Sequence, residues 1–174
     1  VRQIIQKTIV QFNTKGVLGL AHKDRYEKRV LALESGGKNA IIVDSDADLD
    51  EVVVGVSDSA FGYQGQKCSA CSRLIIVDEY GPGGSVYIKV VERLKERIQS
   101  LPIGSPEDPK NKIGPLIDRE AFEKYLKYLG LAKEEGALVH TRGTMPQLSV
   151  GGYFVSPALL EGISEESRIT HEEI

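Results

Sequence analysis

Two short segments hold residue types able to do covalent chemistry. Gly65-Gln66-Lys67-Cys68-Ser69-Ala70-Cys71-Ser72-Arg73 puts a cysteine in a short polar turn. Upstream, Leu33-Glu34-Ser35-Gly36-Gly37-Lys38 puts an acid on a glycine-rich turn. That pair suits catalysis through a thioester: the cysteine attacks, and the carboxylate later activates water. Each residue also has a plain reading. A free cysteine is more often an inert buried residue, and a glutamate at a strand end is usually just solvated. Gln66, Lys67, Ser69 and Ser72 argue against apolar burial of Cys68, and Lys67 places a positive charge beside it. The backbone N–H of a nucleophile in such a turn can point at a developing oxyanion. Gly36 and Gly37 permit unusual backbone angles or the close approach of another segment. The residues alone leave both readings open.

Cys71 completes a Cys-x-x-Cys, which admits half a zinc site or a redox dithiol. A structural zinc site needs two more ligands, and His22, His140 and His171 are scattered without ligand spacing. No metal is expected. A dithiol redox module is a weaker alternative to Cys71 acting as packing.

Strands alternating with helices must position these turns. Thr8–Phe12, Val30–Leu33 and Asn39–Val43 read as strands, with a helix over Leu18–Lys28. The unbroken apolar character of Ala40–Val43 predicts burial on both faces. Asp46 or Asp48 caps the next helix, which carries Val52, Val53, Val56, Ala60 and Phe61. Leu74–Val77 is a strand, and Val86, Val90, Leu94 and Ile98 recur every four residues along one helix face. Leu101–Lys112 reads as an extended connection. Asp118 caps a helix with a buried stripe of Phe122, Tyr125, Leu126 and Leu129. Ala137–His140 and Tyr153–Val155 are further strands. The pattern predicts an α/β layered fold, a mostly parallel sheet flanked by helices.

Composition bounds the rest. The 174 residues are 41% apolar and 27% charged, with a formal charge of −3. That balance gives no electrostatic attraction to nucleic acid or anionic membrane. No apolar run approaches a membrane span, and the N-terminus is not built like a signal peptide. Two cysteines form no disulfide framework, so a reducing compartment is expected, the cytoplasm or a mitochondrial matrix.

Taken together, Glu34-Ser35-Gly36-Gly37-Lys38 and Gly65-Gln66-Lys67-Cys68-Ser69-Ala70 resemble the catalytic core of the aldehyde dehydrogenase superfamily. The block Phe61–Arg73 looks most like its 1-pyrroline-5-carboxylate dehydrogenase branch, which oxidises glutamate semialdehyde. Lys38–Asp50, Leu101–Gly104, Ile113–Ile117, Gly151–Leu159 and Glu172-Glu173-Ile174 resemble later family segments. The resemblance implies Cys68 as nucleophile, Glu34 as general base and Glu173 as a contact to the ribose of NAD or NADP. It also implies an aldehyde substrate and a homo-oligomer. Ser35 departs from the leucine usual in the family. Asn13-Thr14-Lys15-Gly16 departs from its Thr-Gly-Ser, so no phosphate contact is carried onto those residues.

On this reading residues 1–33 are the divergent tail end of the NAD-binding domain, and 34–174 the first part of the catalytic domain. The chain is then expected to be a fragment, inactive by itself. The rival readings are another semialdehyde dehydrogenase, or a truncated, non-catalytic binding or assembly module.

Overall fold

In the computed structural model Asn39–Val43 forms strand β1 and Cys71–Ile76 strand β2, paired parallel. Residues 36–144 and 151–174 are described, all within the compact unit Gly36–Ile174. The expected strands at Thr8–Phe12 and Val30–Leu33, the helix over Leu18–Lys28, the Asn13–Gly16 segment and Glu34 lie outside the described residues.

Parallel pairing needs a crossover, and helix α1 (Leu49–Phe61) supplies it. Of the two candidate caps, Asp48 does the capping, accepting the N–H groups of Asp50 at 2.8 Å and Glu51 at 3.3 Å. Helix α2 (Ser85–Ser100) follows β2 and buries Val90, Val91, Leu94 and Ile98: three of the four expected positions with Val91 added, while Val86 in the first turn is only half-buried. Its first turn is capped from a distance. The Asp78 carboxylate accepts the N–H of Val86 at 2.9 Å and of Tyr87 at 3.0 Å. Gly84 leaves it room, since a Cβ there would fall 1.8 Å from Asp78 Oδ1.

Val43, Val56, Val90 and Leu94 form the first core, joined by Ile41, Leu74 and Ile76. Alternation along the strands then turns Ile42 and its register partner Ile75 to the other face. They are 69% and 45% exposed, so burial of β1 on both faces is not observed: α1 and α2 cover one side.

The connection after α2 is not extended as expected. It folds back through turns, with Asp108 N–H on Ser105 C=O at 3.2 Å and Asn111 N–H on Asp108 C=O at 3.0 Å, so that Ile103 and Ile113 meet in a parallel bridge. Helix α3 (Arg119–Glu134) starts at Asp118, which accepts Ala121 N–H at 2.8 Å. Its buried positions are Tyr128 and Ala132, flanked by half-buried Phe122, Tyr125 and Leu129, whereas Leu126 is exposed. The stripe sits one notch around the helix from the expected one. Strands β3 (Leu138–Thr141) and β4 (Ala158–Glu161) form an antiparallel pair and pack on α3 and the short helix α4 (Arg168–His171) through Tyr128, Ala132 and Ile169.

The expected strand at Tyr153–Val155 makes isolated bridges to Leu116 and Thr144. The regular strand comes after Pro157. Its sequence, Ala-Leu-Leu-Glu, favours helix by propensity, and tertiary pairing with β3 overrides that preference.

Candidate active site

Helix α1 ends at Phe61, and a 3₁₀ turn, Gly62–Gly65, leads to the cysteine loop. Within it Tyr63 (φ 53°) and Gln64 (φ 59°) adopt left-handed backbone, a cost of about 1–2 kcal/mol for each non-glycine residue. A neighbouring segment secures it. The Gln64 carboxamide accepts Gly114 N–H at 2.8 Å and donates to Tyr63 C=O at 3.2 Å. Gln66 Oε1 accepts Ile117 N–H at 3.0 Å.

Ala70 N–H then donates to Lys67 C=O at 3.0 Å, closing a tight turn with Cys68 and Ser69 at its central positions. Ala70 is buried and Cys68 exposed. A turn of this kind does not use the N–H of its first central residue, here Cys68. On the other side Asn39, at the start of β1, donates Nδ2–H to Cys68 C=O at 2.7 Å and to Ala70 C=O at 3.3 Å. Gly37 allows that approach: a Cβ there would lie 3.1 Å from the Cys68 carbonyl oxygen and 3.0 Å from Asn39 Nδ2.

A groove of about 1160 Å³ opens beside the loop, bordered among others by Gly36, Lys38, Cys68, Arg73, Lys124 and Glu173. Burial lowers the Lys38 pKa, and repulsion from Arg73 and Lys124 adds to it; Glu173 and Glu172 act in the opposite sense. Glu173 packs on Gly36 so closely that a Cβ there would fall 1.7 Å from Glu173 Oε2. Its neighbour Glu172 is committed elsewhere. Arg168 binds it at 2.7 and 2.9 Å and Tyr128 donates to it, which brings its carboxyl down to about 2.

Cys68 and Glu173 therefore border one groove, organised around the Gly36-Gly37 turn. Glu34, just before that turn in sequence, lies outside the described residues. Lys38, Asn39, Gln64 and Lys124 were not singled out by sequence. Asn39 offered the one usable signal, a polar residue opening an otherwise apolar strand.

The sequence model of the aldehyde dehydrogenase family matches residues 19–174. The chain belongs to the aldehyde dehydrogenase family. It is 41% identical over 147 residues to the 1-pyrroline-5-carboxylate dehydrogenase of Geobacillus sp. (strain WCH70), covering 84% of this chain and 27% of that protein. A solved 1-pyrroline-5-carboxylate dehydrogenase from Thermus with bound NAD matches with a TM-score of 0.65 and 38% identity, over 80% of this chain and 25% of that one. The methylmalonate-semialdehyde dehydrogenase of Oceanimonas doudoroffii matches with a TM-score of 0.71 and 31% identity, over 79% and 28%. The chain thus spans about a quarter of the length of these aldehyde dehydrogenase relatives, and its α/β fold is theirs.

Proposed function

We propose that this chain is part of an NAD(P)-dependent dehydrogenase that oxidises glutamate semialdehyde, in equilibrium with 1-pyrroline-5-carboxylate, to glutamate. The reaction belongs to proline breakdown. The observation that carries the reading is the Cys68 turn: an exposed thiol with its own N–H unused by the turn, beside an open groove.

The Cys68 thiolate attacks the aldehyde carbon, and its N–H hydrogen-bonds the oxygen that becomes negative. The nicotinamide cofactor, when bound, supplies the hydride acceptor. The Glu173 carboxylate suits that cofactor, because its oxygens lie at the groove and can accept ribose hydroxyls. Loss of hydride leaves an acyl group on Cys68. Glu34, as general base, takes a proton from water, which then hydrolyses the thioester to release glutamate and the thiol.

Another semialdehyde substrate is the second reading, favoured by the methylmalonate-semialdehyde neighbour's higher TM-score. A panel of semialdehydes offered to the full-length protein separates the two. Preference for the five-carbon α-amino acid semialdehyde supports the first, and preference for a branched acyl semialdehyde the second. Cys68→Ala abolishes turnover, and Glu34→Gln leaves an acylation burst with slow release of acid. Retained turnover in Cys68→Ala removes the assignment. Residues 1–174 alone show no NAD-dependent turnover. The complete enzyme is a homo-oligomer, which its mass in solution tests, and it works in the cytoplasm, or in the mitochondrial matrix of a eukaryote, which cell fractionation tests.

A further inference from the structure

The two peptide planes that flank the Cys68 Cα are each held by one hydrogen bond. The plane carrying Lys67 C=O and Cys68 N–H is held by Ala70 N–H at 3.0 Å. The next plane, carrying Cys68 C=O, is held by Asn39 Nδ2 at 2.7 Å. Fixing both planes fixes the Cα–Cβ direction, and so the three staggered positions open to the sulfur, and with it the N–H direction.

Asn39 reaches the turn because of an irregularity in the β1–β2 pair. Its partner is Cys71, but Ala40 pairs with Arg73, so Ser72 is an extra residue on β2 at that point. Such a bulge re-aims a strand's side chains. The same carboxamide also donates to Ala70 C=O at 3.3 Å, so one side chain links the first central residue of the turn to its last residue. A Cβ at Gly37 would meet that carboxamide at 3.0 Å, so any side chain there would press on it.

We propose that Asn39 is a positioning residue for the acylation step, orienting Cys68 Sγ and Cys68 N–H together through the Cys68 carbonyl. The inference rests on the assignment of Cys68 as nucleophile. Asn39 itself touches no substrate.

The test uses the full-length protein and p-nitrophenyl acetate, without cofactor. Attack by the Cys68 thiolate on the ester carbonyl expels p-nitrophenolate and leaves acetyl-Cys68, read as a yellow burst. Iodoacetamide is the companion probe, because displacement of iodide builds no oxyanion. Asn39→Ala is expected to slow the burst about tenfold or more while alkylation of Cys68 stays within about twofold. Asn39→Gln, which keeps a carboxamide donor, is expected to recover the burst to within about threefold of the unsubstituted protein. The proposal is overturned by an Asn39→Ala burst at the original rate, by acylation and alkylation falling in parallel, or by no rescue with Gln. A burst that survives Cys68→Ala sinks the nucleophile assignment itself. One that needs Cys68 but ignores Asn39 sinks this inference alone.

Discussion

Cys68 and Cys71 lie three apart in sequence and in different surroundings. Cys68 is exposed at a turn, whereas Cys71 is half-buried at the start of β2, with its Sγ–H donating to Arg73 C=O at 3.3 Å. Burial raises the Cys71 pKa, an effect its backbone hydrogen bonds only partly oppose. Alkylation requires thiolate and access, so iodoacetamide near neutral pH should label Cys68 well before Cys71. Peptide mapping at short times measures this, and equal labelling would contradict the assigned environments. The nucleophile candidate was legible because its chemistry is local: a polar, glycine-preceded turn with a characteristic sequence. Asn39 was barely so, since its partner is 29 residues away and its only local mark is that of a polar residue opening an apolar strand.

Elements were legible wherever one helix carried its own signals. Helix α2 shows why, with Val90, Leu94 and Ile98 buried at the spacing the sequence sets. Its start was not legible, because the cap is Asp78, well upstream of the first turn. Hydrogen bonds from the N–H of Tyr80 and then Tyr87, with a lesser one from Val86, hold the Asp78 carboxyl below its ordinary value against the opposing effect of desolvation. A depressed folded-state pKa means stability that is present above the ordinary carboxylate range and lost as pH falls through the lowered value. Asp78→Ala should therefore lower the melting temperature at neutral pH, with the difference shrinking in acid. A constant difference down to strongly acidic pH would refute the capping role. Strand β4 escaped the sequence for the opposite reason: Ala158–Glu161 carries a helical preference, and only the β3 partner makes it a strand. Likewise, period and composition could not show that Ile42 faces away from both helices.

At the scale of the described unit, Glu161 ties the helical layer to the hairpin. Tyr87 of α2 donates to one carboxylate oxygen at 2.7 Å, and His140 of β3 pairs with the other at 2.6 Å. Lys95 adds its charge at 3.7 Å. Burial opposes ionisation of Glu161, but Tyr87, His140 and Lys95 outweigh it and hold its pKa below the usual range. Burial and the same carboxylate push the Tyr87 hydroxyl up to about 12. Removing a partly buried acceptor strands its donors, so Glu161→Ala should cost about 1–3 kcal/mol, measured by urea unfolding. The sign again follows a depressed acid: the contribution is lost as pH falls through the lowered Glu161 value. An unchanged unfolding midpoint would show that α2 and the hairpin hold together without it.

The adjacent glycines at 36 and 37 offer two separate handles to a protein engineer. Gly36 receives the carboxylate of Glu173, and Gly37 receives the carbonyl of Cys68 with the Asn39 amide. A methyl group added at one position displaces a different visitor from a methyl added at the other. Gly36 is also left-handed, at φ 76°, so a side chain there strains the backbone as well, whereas Gly37 is limited by space alone. Library design can therefore vary the fit at the chain's last residues and the seating of the thiol independently, from neighbouring codons.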